Sequence, residues 1–255
     1  MNTPVALTVA GSDSGGGAGI QADLKTFHAC GVFGTTAITC ITAQNPRRVS
    51  AVQACRPALV AAQMDRVFEA FPVAAAKTGM LFDTAIITAV AAGFRRQKLQ
   101  NLVVDPVMVA TSGARLLKRD AVAALTAKLF PLAALVTPNH AEVEVLLGKS
   151  VRDLRAAAPE LVRRYGVPFL AKGGHVPAGG WVVDVFCDGR ELHEFRARQV
   201  RGIRPHGAGC TLSAAITANL ARGFNLVDSI RRARRLISHA LREAIHVGRY
   251  RALKI

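Results

Sequence analysis

The alternation of short β-branched runs with longer helical stretches constrains this chain more than any other feature. Val5–Ala10, Thr36–Thr42, Val73–Lys77, Leu102–Val104, Leu135–Thr137 and Phe169–Lys172 have the apolar continuity of strands buried on both faces. Between them, Ile20–Ala29, Ala58–Phe71, Thr84–Gln97, Asp120–Phe130 and Leu154–Tyr165 carry apolar residues at helical spacing. Strand and helix in that order call for right-handed crossovers, a parallel sheet and helices on both of its faces. Trp181–Phe186 and Glu191–Phe195 bracket Asp188-Gly189, a hairpin signal, so two antiparallel strands are expected to extend one sheet edge. Two further helices, Cys210–Ala221 and Leu226–Val247, should close the chain.

At 255 residues such an α/β chain fits one domain, and its 51% apolar residues supply a large core. Against 17 Asp+Glu stand 33 Lys+Arg, a formal charge of +16 that raises the local concentration of anions such as phosphates. A solvated helix surface explains the run Arg231, Arg232, Arg234 and Arg235 equally well. With 5% aromatic residues there is little to stack on bases, and no RNA-binding signature appears, which argues against a nucleic-acid partner. Cys30, Cys40, Cys55, Cys187 and Cys210 occur singly, with neither zinc nor disulfide spacing, as suits a reducing cytoplasm. No stretch reaches about 18 uninterrupted apolar residues, so a membrane partner is not expected.

Several motifs stand where strands end. Ala10 to Gly19, rich in glycine, follows the first strand and opens the first helix, but it has neither the Lys of a phosphate-binding loop nor a dinucleotide spacing; a tight turn and a binding site both explain it. The second cluster, His206-Gly207-Ala208-Gly209-Cys210-Thr211, enters a long helix whose first N–H groups lack internal partners, which makes a ready anion site or an ordinary cap. Cys210 at that helix start is either a thiolate lowered by the helix terminus, able to accept a proton, or an inert buried thiol. Asn139 and Glu142 lie one helical turn apart, as a magnesium site or a capping pair would require. Asp105-Pro106-Val107 and Lys172-Gly173-Gly174-His175 end two more strands, so carboxylate, amine and glycines are expected to meet at one rim.

Taken together, Ala10 to Asp23, Thr42 to Asn45, Lys77 to Leu81, Asp105 to Met108, Thr137 to Glu142, Lys172 to His175 and His206 to Ser213 resemble the bifunctional hydroxymethylpyrimidine/phosphomethylpyrimidine kinases of thiamine biosynthesis, in order along nearly the whole chain. The resemblance implies a three-layer α/β/α ribokinase-like fold with a mainly parallel central sheet and a small edge hairpin. It implies two successive ATP-dependent phosphorylations of a pyrimidine, and a homodimer. It also implies roles: Gln44, Gly11, Asp23, Met80 and Val107 around the ring; Asp105, Asn139 and Glu142 managing Mg2+ directly or through water; Asn139 and Lys172 toward the nucleotide. Gly207, Ala208 and Gly209 would stabilise the transferring phosphoryl group, with Cys210 in the place of the base. Ala208 stands where these kinases usually carry Thr, an Ala common among vitamin B6 kinases, which form the rival reading. Pro46 and the segment Arg201-Gly202-Ile203-Arg204-Pro205 also depart from the pattern, whereas Gln44 and Ser112-Gly113 favour the pyrimidine.

Overall fold

The computed structural model describes residues 2–108, 117, 120–174, 179–200 and 206–255. Ser112-Gly113, His175 and Arg201 to Pro205 lie outside the described residues. Strands β1 (Val5–Asp13), β2 (Phe33–Asn45), β3 (Arg48–Ala54), β4 (Val73–Thr78), β5 (Leu102–Val104), β6 (Leu135–Val136), β7 (Phe169–Ala171), β8 (Trp181–Cys187) and β9 (Leu192–Arg198) form one sheet in the order β3-β2-β1-β4-β5-β6-β7-β8-β9. From β2 through β7 neighbouring strands pair parallel, while β3 against β2, β8 against β7 and β9 against β8 pair antiparallel. The hairpin expected from Asp188-Gly189 is thus the β8–β9 edge.

Helices α1 (Gly19–Ala29), α2 (Pro57–Ala70), α3 (Thr84–Gln97), α4 (Ala121–Ala124), α5 (His140–Leu147), α6 (Leu154–Tyr165), α7 (Ala208–Ala221) and α8 (Leu226–Arg242) divide between the two faces. Met64, Ile86, Val143 and Leu161 from α2, α3, α5 and α6 pack with Leu7, Val9 and Val104 of the sheet. On the other face Phe27, Ile216 and Ile237 from α1, α7 and α8 cover Ala6, Val103 and Leu135. Burial on both sides explains the uninterrupted apolar runs of the central strands, and each large side chain buried this way contributes about 1.5–3 kcal/mol. Among the described residues no helix is long and apolar enough to cross a membrane.

Two expectations are corrected, and one strand is added. Asp120–Phe130 is not one α-helix: after α4 the chain widens to a π-helical turn at Leu125–Leu129 and tightens to a 3-10 turn at Phe130–Leu132, where Pro131 has no N–H to continue a helix. The last helix stops at Arg242, and β10 (Ile245–Val247) pairs antiparallel with β11 (Tyr250–Ala252) around Gly248, whose φ of 57° a side chain would resist. Strand β3 was not expected at all. It is a partly exposed edge whose residues alternate too weakly to signal, yet it holds Gln44 opposite Val49 and so fixes where that side chain emerges.

Candidate active site

The strand order reverses direction between β1 and β4, and in open parallel sheets ligands bind outside the carboxyl ends of the strands at such a switch. The described residues of the strand-end motifs lie along the carboxyl ends of these strands.

The two glycine clusters play different parts. In the first, Asp13 at the end of β1 is nearly sealed from solvent and gathers the amides of the turn: Gly15 N–H donates to Oδ1 at 2.8 Å, Ala18 and Gly17 N–H to Oδ2 at 2.8 and 3.2 Å. Burial alone would raise this carboxyl, but the His206 hydrogen bond and those backbone donors hold it below the usual carboxylate range. The donors of the first cluster are therefore spent on the protein's own carboxylate. In the second cluster Gly207 caps α7 with φ of 86°, and the first intrahelical bond runs from Thr211 N–H to Gly207 O. The amides before Thr211 are left as donors at the positive end of a 14-residue helix. A Cβ on Gly207 would lie 1.7 Å from Gly17 O, so the two turns touch backbone to backbone.

Beside this helix start stands an ion pair. Lys172 Nζ, just past β7, donates to Asp105 Oδ1 at 2.9 Å, and Ser213 of α7 donates to Asp105 Oδ2 at 3.1 Å. A Cβ on Gly209 would come 3.5 Å from Lys172 Nζ, which places the ammonium against the first turn of α7. Burial pushes the Asp105 carboxyl up, yet Lys172 and Lys77 outweigh it and leave Asp105 low.

A second pair lies beneath. Lys77 Nζ, wholly buried on β4, meets Asp23 Oδ1 at 2.7 Å, and Thr8 donates to Asp23 Oδ2 at 2.7 Å. Burial pulls Lys77 down, but Asp23, with Cys210 and Asp105 behind it, raises it above its ordinary value, so it remains an ammonium. Asp23 was expected to line the pocket. It has no exposed surface, because its carboxylate balances Lys77 under the floor. Sequence reasoning quoted Lys77 without giving it a task; a lysine closing an otherwise apolar strand was the available signal.

Burial also corrects the view of Cys210 as a thiolate. Removal from water pushes its thiol up to about 11, outweighing the pull of Lys77 and of the Gly19 N–H. At neutral pH Cys210 carries its proton.

At the end of β2, Gln44 contacts Thr42 Oγ1 at 3.1 Å and His206 Nε2 at 3.0 Å, and His206 Nε2 lies 2.9 Å from Asp13 Oδ2. Sequence reasoning assigned neither Asp13 nor His206 a role. Gly11 is packed against Cys40 and Met80: a Cβ there would stand 2.8 Å from the Cys40 sulfur and 3.6 Å from that of Met80. Val107 has φ of 43°, a left-handed conformation costly for a β-branched residue and of the kind found at functional sites. The next peptide is pinned, since Met108 N–H donates to Glu142 Oε1 at 3.0 Å.

Glu142 and Asn139 form a capping box at the start of α5, with Glu142 N–H donating to Asn139 Oδ1 at 3.0 Å and Asn139 N–H to Glu142 Oε2 at 2.8 Å. Both Glu142 oxygens and both Asp105 oxygens thus have protein donors, and among the described residues no group of three His, Cys, Asp or Glu is arranged to hold a metal. A hydrated Mg2+ held mainly by phosphate oxygens still fits. The buried hydroxyls of Thr78 and Thr137, at the ends of the strands flanking Asp105, have no partner among the described residues and leave oxygen donors for its water shell.

Residues 13–253 match the family model described as Phosphomethylpyrimidine kinase. The chain is 47% identical over 246 residues to the hydroxymethylpyrimidine/phosphomethylpyrimidine kinase of Rhizobium meliloti, covering 95% of this chain and 92% of that one. It is 48% identical to the thiamine biosynthesis bifunctional protein ThiED of Geobacter sulfurreducens, again over 95% of this chain, but spans only 50% of that longer protein. Among solved structures it is similar to the Bacillus subtilis pyridoxal kinase in complex with ADP, with a TM-score of 0.91, 35% identity and coverage of 99% and 97%. It is also similar to the phosphomethylpyrimidine kinase of Clostridium difficile, with a TM-score of 0.83, 36% identity and coverage of 94% and 100%.

Proposed function

The chain belongs to the phosphomethylpyrimidine kinase family, and from that premise we propose that it moves the γ-phosphoryl group of ATP first to hydroxymethylpyrimidine and then to its monophosphate, as a single domain and a homodimer. The observation that carries this reading is the juxtaposition of the Lys172–Asp105 pair with the first turn of α7, which no side chain caps, two sources of positive potential at one point of the rim.

Phosphoryl transfer asks a protein mainly to position reactants and neutralise charge. In this reading Lys172, turned from Asp105 toward the phosphates, draws off charge from the leaving diphosphate. The amides of Ala208, Gly209 and Cys210 face the transferring group, with Gly207 fixing their direction. Gln44, Met80 and Val107 surround the ring, and Gly11 leaves it room. Asn139 sets the nucleotide-side turn. Asp105 and Glu142 would hold Mg2+ through water, and that ion would neutralise phosphate charge. Cys210, neutral at rest, serves as a hydrogen-bond partner of the attacking hydroxyl more than as a ready base. Five free thiols suit a reducing cytoplasm.

Two observations favour a second reading: Ala208 between the glycines and the similarity to pyridoxal kinase together support action on vitamin B6. A single experiment separates the two. ADP release is followed with MgATP and hydroxymethylpyrimidine, its monophosphate or pyridoxal. Turnover of both pyrimidines with a higher kcat/KM than pyridoxal is expected; turnover of pyridoxal alone overturns the assignment.

A further inference from the structure

We propose that His206 is a positioning residue for specificity, fixing which way the Gln44 carboxamide faces and thereby which ring edge the pocket accepts. The inference rests on Gln44 contacting the ring.

One ring nitrogen, His206 Nε2, lies between two groups, 2.9 Å from Asp13 Oδ2 and 3.0 Å from the Gln44 amide. It carries either a hydrogen or a lone pair toward them. Asp13 decides. Its carboxylate already accepts three backbone N–H groups, so it is an acceptor, and Nε2 must present N–H.

The Gln44 atom nearest that N–H must then accept. With the amide nitrogen toward His206, two donors would confront each other. The single hydroxyl hydrogen of Thr42 would also be required twice, by Gln44 Oε1 at 3.1 Å and by Ser12 O at 2.9 Å. Turning the amide over removes both conflicts: Oε1 accepts from His206, Nε2 donates to Thr42 Oγ1, and Thr42 donates to Ser12 O. The one hydrogen then shared is that of His206 Nε2, which lies between two acceptors, Asp13 Oδ2 and Gln44 Oε1. One N–H and one lone pair of Gln44 remain, in a fixed order.

A fixed donor–acceptor order distinguishes a 4-aminopyrimidine, whose edge reads acceptor nitrogen beside amino donor, from its 4-oxo analogue, whose edge reads the reverse. Rotation of a free amide would serve either. His206, reached from Asp13, forbids the rotation. His206 also adjoins Gly207, so the group that sets ring recognition belongs to the turn that receives the phosphoryl group.

The test uses the full chain with MgATP and either hydroxymethylpyrimidine or its 4-oxo analogue. The wild type should prefer the amino form. His206→Phe should raise KM for the amino form roughly 10- to 100-fold and collapse the amino/oxo selectivity, with KM for MgATP unchanged. His206→Gln, which restores a donor near the Nε2 position, should recover selectivity. Should Phe prevent folding, His206→Asn, whose nitrogen reaches the Nδ1 position only, tests the same point. Unchanged selectivity in the folded Phe or Asn variant, together with collapse in Gln44→Leu, would overturn the role of His206 alone. Unchanged selectivity in Gln44→Leu as well would remove the Gln44 reading and this inference with it.

Discussion

Two lysine–aspartate pairs lie at the same end of the sheet, and they differ in access to water. Lys77 and Asp23 are both 0% exposed, whereas Lys172 keeps 13% and Asp105 4%. A charge pair wholly inside the protein has no other partner to turn to, so its loss leaves an uncompensated ion in the core. A pair at the cleft surface can exchange its partner for a ligand. In the proposed function the sealed pair is framework and the open one machinery, although both are a lysine and an aspartate at hydrogen-bonding distance.

The sharpest way to break this comparison is Lys77→Met. Leaving Asp23 buried and unpaired should cost about 3–5 kcal/mol, visible as a large fall in Tm and in the urea midpoint. A variant that melted like the wild type would place water at Asp23. Lys172→Met should lower kcat by about 10²–10³-fold, since the charge it removes acts on phosphates, with a smaller fall in Tm than Lys77→Met because Ser213 and Lys77 still act on Asp105. A large Tm loss without a kcat loss would make the two pairs alike.

Smaller effects sharpen the contrast. In Glu142→Gln one of the two backbone donors, Met108 or Asn139, loses its carboxylate acceptor, at about 1–3 kcal/mol of stability by denaturant melts. If only the magnesium requirement moved, Glu142 would serve the cation and not the loop. Cys210→Ala should reduce the single-turnover rate by less than the roughly 10²-fold expected of a true base, with ring affinity kept within a few-fold. Because burial holds the thiol at about 11, site-resolved alkylation of Cys210 should rise with pH across the neutral range and level off only near that value. A plateau near pH 7 would restore the thiolate.

Much of this was legible in the chain because local signals and packing agree. Thr84–Gln97 and Leu154–Tyr165 fold with the bounds their spacing predicts, helped by Asp83 and Asp153, which accept from Ile86 and Arg155 N–H at 3.0 and 2.9 Å, and by Gly166 at the end of α6. The strand-end motifs were readable because parallel strands deliver their carboxyl ends to one rim. What escaped depends on space. Strand β3 has no core face to impose a pattern, and the pairing of Asp23 with Lys77 joins residues 54 positions apart. The thiol of Cys210 lies at a helix start, which the sequence reveals, but under enough protein to reverse the expected shift, which only the packed chain reveals.

The backbone contact between Gly17 and Gly207 has a consequence for recombination between relatives. Segments around 13–18 and 206–207 are nearly two hundred positions apart, yet each is shaped to the other: a Cβ on Gly17 would stand 2.9 Å from His206 Cδ2, and one on Gly207 would collide with Gly17 O. A chimera that takes its first strand and turn from one parent and its last two helices from another therefore inherits two halves of a single joint. Such exchanges should succeed when both pieces travel together and fail when either travels alone, however well each parent folds.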